Sequence, residues 1–171
     1  GGLVGDLQDN LGLRLADARI CRIGAGGAAG GVVAALLQAH PEVLGISNRT
    51  ESRAADLVDR HADLGPVESA TLAGMDEQPP FDLVINATSL GHHNEAPGIT
   101  ASWFKAGGLC YDMNYGGAAE PLRAKCAELQ VDYSDGLGML VGQAALSFQM
   151  WTGKRPHQAP VLAALRSSPG E

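Results

Sequence analysis

Eleven consecutive residues, Ile20-Cys21-Arg22-Ile23-Gly24-Ala25-Gly26-Gly27-Ala28-Ala29-Gly30, carry an apolar stretch through glycines into a second apolar stretch. A turn of that composition suits anion binding. Gly24 permits a sharp passage from strand to helix, and Gly26 lets the backbone approach a pyrophosphate that a Cβ would hold off. Gly27 clears one more side chain, and Ala29 is small enough for the following helix to lie close to a sheet. That helix would direct free N–H groups and the positive end of its dipole at phosphates. The glycines alone suit a purely structural turn equally well. Their setting, a strand, turn, apolar helix and second strand within about 30 residues, favours a dinucleotide.

The second strand, 43–47, runs into Ser47-Asn48-Arg49-Thr50-Glu51-Ser52-Arg53. An acidic residue at its end would bond ribose hydroxyls and repel a 2′-phosphate. Asn48, Arg49 and Thr50 come first instead. Arg49 offers a planar fork for phosphate and a flat face for adenine, and Arg53 lies one helical turn on. Asn48 and Thr50 add neutral hydrogen bonds, and Thr50 is placed to cap the next helix. Two cations at a helix start are unfavourable by themselves. The pattern therefore predicts NADP rather than NAD.

The elements that must hold these residues alternate. Periodicity predicts helix 3–10, strand 18–23, helix 27–39, strand 43–47, helix 51–62, strand 66–70 and a helical turn at 71–75. Strand 81–86, a loop at 88–98, a turn at 101–105, strand 109–113, helix 119–129, strand 131–134 and helices 137–152 and 158–167 follow. Strands rich in Val, Ile and Leu imply a sheet buried on both faces. The fold class expected is α/β, Rossmann-like and doubly wound, mainly parallel, with helices on both faces and trailing carboxy-terminal helices. Ser167 to Glu171 is expected to fray.

Composition narrows the partners. The 171 residues are 45% hydrophobic with a net charge of −7, which suits one soluble globular unit and disfavours nucleic acid or anionic membranes. No apolar run is long enough to span a bilayer and no signal peptide is evident. Cys21, Cys110 and Cys126 are an odd, widely spaced set without a CxxC, and Cys21 and Cys110 lie in predicted buried strands, so reduced core thiols in a cytoplasmic protein are expected. The chain does not begin with Met, which fits a fragment or processed product.

Three further segments end strands or open loops. Asn86-Ala87-Thr88-Ser89-Leu90-Gly91 fits either a ligand crevice at a sheet edge or an ordinary capped turn. In Cys110-Tyr111-Asp112-Met113-Asn114-Tyr115, Met and Tyr suit either core packing or a flat ring and a polar substrate group. In Ser134 to Gln143, Gly136 and Gly138 permit close backbone approach, while Gln143 faces a cleft or solvent. His92 and His93 lack nearby partners for a metal set and are read as exposed loop residues; no metal site is expected.

In this order the segments resemble the shikimate dehydrogenase family, over nearly the whole chain from Gly1 to about Leu165. The resemblance rests on Gly24-Ala25-Gly26-Gly27-Ala28, Asn48-Arg49-Thr50-x-x-Arg53, Asn86 to Gly91, Tyr111-Asp112-Met113-x-Tyr115 and Asp135-Gly136-Leu137-Gly138-Met139-Leu140-x-x-Gln143. It implies NADP-dependent interconversion of shikimate and 3-dehydroshikimate in aromatic amino acid biosynthesis. It implies cofactor contacts from Gly24, Ala25, Gly26, Gly27, Ala28, Asn48, Arg49, Thr50, Arg53, Thr88, Met113 and Gly136. Tyr115 and Gln143 are implied to touch the substrate.

Two departures stand out. Gly30 occupies a place where many relatives carry a basic residue. Family members also have an amino-terminal domain of about 100 residues, with most substrate contacts and a Lys/Asp pair that handles the proton. Only Gly1 can belong to the family's Asn-Thr-Asp-Gly segment. Lys105, Lys125 and Lys154 match no catalytic stretch and read as solvated, so no catalytic residue is assigned and little turnover by this chain alone is expected. The layout expected is a linking helix at 1–14, an NADP-binding domain at 15–135, and helices at 136–171 that lean on a substrate domain. Uncovered apolar faces there, at Leu140, Leu146, Phe148 and Met150, favour self-association. A non-catalytic NADP-binding or sensing protein, and a quinate-type dehydrogenase, are the competing readings.

Overall fold

The computed structural model describes residues 2–26 and 29–167. Helix α1 (Gly2–Gly5) runs directly into a π-helical turn at Asp6–Asn10, so the helix expected over 3–10 is split in two. Strand β1 (Arg19–Ile23) stops one residue before Gly24, and α2 (Ala29–Leu37) starts just beyond the glycines. Then follow β2 (Val43–Ser47), α3 (Glu51–Asp59), β3 (Val67–Ala70), β4 (Phe81–Asn86) and β5 (Phe104–Asp112). The chain continues through α4 (Glu120–Leu129), β6 (Asp132–Ser134), α5 (Leu137–Thr152) and α6 (Gln158–Ser167). Of the end expected to fray, Ser168 to Glu171 lies outside the described residues.

Among the described residues the sheet has six strands in the order β3-β2-β1-β4-β5-β6, every pairing parallel. The chain direction across the sheet reverses between β1 and β4. In doubly wound sheets the ligand crevice opens at that point, beyond the carboxyl ends of the strands. Alternate residues feed opposite faces. Ile20, Leu44, Ile46, Leu83, Ile85 and Tyr111 pack with Val33, Leu36, Leu57 and Leu7 from α2, α3 and the π turn. On the other face, Cys21, Ile23, Val84 and Cys110 pack with Trp103, Leu122 and Cys126.

Three local expectations are corrected. Strand β5 begins at Phe104 rather than 109, because Phe104 already pairs with Phe81 and the strand resumes at Leu109 after an irregularity in which Gly107 takes a φ of +75°. The helix expected over 51–62 ends at Asp59, and the turn expected at 71–75 is a 3₁₀ turn at Met75–Glu77, where buried Met75 anchors it. All three cysteines are free and buried, and burial pushes the Cys21 thiol up to about 12, far from a reactive thiolate. Among the described residues no helix is long and apolar enough to cross a membrane.

Candidate functional site

Four strand ends, those of β1, β2, β4 and β5, build the crevice. At β1, the Gly24 N–H donates to the Ser47 carbonyl at 2.7 Å, and the Ala87 N–H donates to the Ile23 carbonyl at 2.8 Å. Gly24 is therefore wedged between the ends of β2 and β4. Its φ is +104°, and a Cβ there would lie 2.9 Å from the Ala87 carbonyl oxygen. Only glycine meets both demands. Gly26 is exposed, and nothing lies within 4 Å of the place a Cβ would occupy. Gly27 and Ala28 lie outside the described residues, and Ala29 opens α2.

Asn48 ties the end of β2 to this turn. Its Oδ1 accepts the Ala25 N–H at 3.1 Å, and its Nδ2 donates to the Thr50 carbonyl at 2.8 Å. Thr50 takes the N-cap position of α3, but its side chain makes no capping bond. The expected cap is thus absent, and the Asn48 amide holds the loop instead. Arg49 and Arg53 are both exposed, at the start of α3, and neither forms an ion pair or side-chain hydrogen bond among the described residues. Two unpaired guanidinium groups beside the positive end of a helix leave an electropositive corner ready for an anion.

The ends of β4 and β5 are stapled by a buried amide–carboxylate network. Asp112 Oδ1 accepts from Asn86 Nδ2 at 2.9 Å, from the Asn114 N–H at 3.0 Å and from Asn114 Nδ2 at 2.8 Å. Asn86 Oδ1 accepts the Thr88 N–H at 3.1 Å and the Thr88 hydroxyl at 2.8 Å. Asn114 Nδ2 also donates to the Thr88 carbonyl at 3.1 Å, and the Gly136 N–H donates to the Asn114 carbonyl at 2.9 Å. Burial pushes the Asp112 carboxyl above its ordinary value, against the pull of these neutral donors. Thr88, Met113 and Gly136 are thereby brought to one rim.

Tyr115 is 47% exposed on the loop after β5, and Gln143 is exposed on α5 with its Cγ against Gly2. No hydrogen bond joins the two among the described residues. Lys105 pairs with Asp82 at 2.8 Å near the opposite, amino-terminal edge of the sheet, and Lys125 reaches Glu128 at 4.0 Å on α4. His92 and His93 are exposed on a 3₁₀ turn. Motif reading passed over Asn114 and Arg22. Asn114 has no signal beyond its place at a strand end, whereas Arg22 is a charge among the apolar residues Ile20, Cys21 and Ile23 of β1 and was detectable.

Exposed Gly26, the start of α2 and the unpaired Arg49 and Arg53 together fit an extended anion with a phosphate at one end. Known proteins resemble this chain in sequence and in fold. Residues 6–101 match the family described as "Shikimate / quinate 5-dehydrogenase", and residues 136–166 match "Shikimate 5'-dehydrogenase C-terminal domain". A shikimate dehydrogenase (NADP(+)) of Acidovorax ebreus is 43% identical over 98% of this chain and 60% of its own length. The crystal structure of an Ael1 enzyme from Pseudomonas putida superposes with a TM-score of 0.88 at 35% identity, over 99% of this chain and 62% of that one. A Thermus thermophilus shikimate 5-dehydrogenase in complex with NADP(H) and shikimate gives 0.73 at 28% identity, over 96% and 60%. The chain thus spans about three fifths of the curated relative's length.

Proposed function

Because this chain belongs to the shikimate dehydrogenase family, we propose that it is the NADP-binding part of an oxidoreductase interconverting shikimate and 3-dehydroshikimate. NADP, when bound, supplies or accepts the hydride. The observation that carries the reading is the corner at the end of β2, where Arg49 and Arg53 stand unpaired and the first acidic residue, Glu51, comes only after Asn48, Arg49 and Thr50. Arg49 and Arg53 hold the 2′-phosphate, with Asn48 and Thr50 adding neutral bonds. Gly24, Ala25, Gly26, Gly27 and Ala28 line the pyrophosphate, and Thr88, Met113 and Gly136 border the nicotinamide end. Tyr115 and Gln143 contribute part of the substrate wall.

Residues 1–14 act as a linking segment, 15–135 as the cofactor domain, and 136–171 as helices that pack on a substrate domain. Of the three lysines, Lys105 is ion-paired near the far edge of the sheet and Lys125 sits on α4. Lys154 is exposed beyond α5. None is placed to take a hydroxyl proton at the rim, so these residues alone turn over little. Buried free thiols accord with a reducing, cytoplasmic setting.

The test is a calorimetric titration with NADP and NAD, followed by an assay of shikimate and quinate oxidation with and without a separately expressed amino-terminal domain. Tighter NADP binding with activity appearing on mixing is the expected result. Binding without rescue supports a non-catalytic NADP sensor, and rescue with quinate alone reassigns the substrate.

A further inference from the structure

Arg22 is out of character with its strand. Its neighbours Ile20, Cys21 and Ile23 are buried and apolar, and Arg22 itself is only 2% exposed. It lies in register with Ile46 on one side and Ile85 on the other, both fully buried. Its Nη1 donates to the carbonyl of Gly24, on the buried side of the glycine turn, and its Nε has no partner. No carboxylate pairs with it among the described residues. Burial pushes its pKa down to about 10, so the group remains charged at neutral pH. A buried cation without a counter-charge is a net cost to folding, and here it sits directly beneath the backbone that faces the crevice.

We propose that Arg22 is a buried positioning residue and counter-charge for the pyrophosphate of the dinucleotide, holding the Gly24 carbonyl and placing positive potential under the turn. The inference rests on the dinucleotide reading above but concerns the part of the ligand that NADP and NAD share. It therefore separates from the role of Arg49, which concerns the 2′-phosphate alone. The anion completes a pair that the protein leaves half-made.

The test uses the 171-residue chain with Arg22→Met and Arg22→Lys, titrated with NADP, NAD and ADP, and melted without ligand. In Arg22→Met, affinity for all three should fall by a similar factor, roughly tenfold or more, as for loss of a hydrogen bond to a charge. Its ligand-free melting temperature should hold or rise, because an apolar side chain replaces an unpaired buried charge. Arg22→Lys should recover part of the affinity. Unchanged affinity in Arg22→Met, or a loss confined to NADP, overturns the proposal. A lowered melting temperature with intact affinity makes Arg22 a purely structural cap. Should Arg22→Met fail to fold, the wild-type Arg22 Nε–H resonance, assigned by its loss in Arg22→Lys, should shift on adding ADP; an unmoved signal is equally fatal. Wild-type protein that binds no dinucleotide defeats the site reading itself, whereas wild-type binding with an unimpaired Arg22→Met defeats this inference alone.

Discussion

In the proposed site Arg49 and Arg53 divide labour with the glycine turn, and single substitutions can separate the two. Arg49→Ala removes a charged donor from the proposed 2′-phosphate corner and should cost about 1.5–3 kcal/mol of NADP binding. NAD, lacking that phosphate, should bind nearly as before. Calorimetry with both cofactors checks this, and equal losses would remove the phosphate role. A different residue should contribute to acid sensitivity. Asp76 Oδ1 accepts from the Thr100 and Ser102 hydroxyls, each at 2.6 Å, and from the Trp103 indole at 3.0 Å. Hydrogen bonds from Ser102 first, then Thr100, hold its carboxyl below the ordinary value. A depressed carboxyl stabilises the fold above the unfolded value of about 4 and loses that contribution as pH falls through the folded value. The urea midpoint of wild type should thus exceed that of Asp76→Ala at pH 7, with the gap narrowing at pH 3. An unchanged gap would show that the charge is irrelevant. The tight turn at Gly24 and the exposed place of Arg49 were legible because both follow from local backbone and charge. Asp76 was not, since its partners lie more than twenty residues away and join only in the fold.

At the scale of elements, a single buried pair links the first turn of chain to the middle of the sheet and to the start of α5. Asp6 is 3% exposed, and its Oδ2 accepts the Tyr111 hydroxyl at 2.6 Å across 105 residues of sequence. Asn10 Nδ2 donates to the other oxygen at 2.7 Å. Gly138, in the first turn of α5, leaves the room that this carboxylate occupies, since a Cβ there would collide with it. Burial, then the Asp6 bond, pushes the Tyr111 hydroxyl upward, which keeps it a donor at any accessible pH. Tyr111→Phe should destabilise the fold by about 1.5–3 kcal/mol, as for a hydrogen bond to a charge. Asp6→Ala should do likewise, and the double variant should cost clearly less than the sum. Additive losses in chemical denaturation would mean the two side chains do not act as a unit. Periodicity located β2, β4, α5 and α6 to the residue because apolar runs end at polar or glycine positions. It missed the first half of β5, since Gly107-Gly108 reads as a turn while the strand pairs with β4 on either side of it, at Phe104 and again from Leu109. It also read 3–10 as one helix, because hydrophobic spacing does not distinguish α from π hydrogen bonding.

For the molecule as a whole, the alternation of strands and helices announced a parallel, doubly wound sheet, but not which face of α5 the sheet side would take. The reason is physical: α5 is apolar nearly all round, and such a helix carries no amphipathic signal. In the structure the inward part of the helix runs as far as Ala145: Gly138, Met139, Val141, Gly142 and Ala145 turn against the rest of the chain. The large residues beyond it face out, with Met150 78% and Trp151 82% exposed and Leu146 and Phe148 about half so. Val161 and Leu165 of α6 extend the apolar surface. A side chain of tryptophan size buries about 150–250 Å² when covered, so this surface gains from any partner that shields it. The 171-residue chain should therefore self-associate, with weight-average mass in sedimentation equilibrium rising with concentration. Met150→Glu with Trp151→Glu should hold it monomeric while leaving NADP affinity unchanged, because neither residue lies at the crevice. A separately expressed amino-terminal domain should compete with self-association if it covers the same face. Monomeric wild type at all concentrations would show that the packing of α5 against α6 shields the surface well enough by itself.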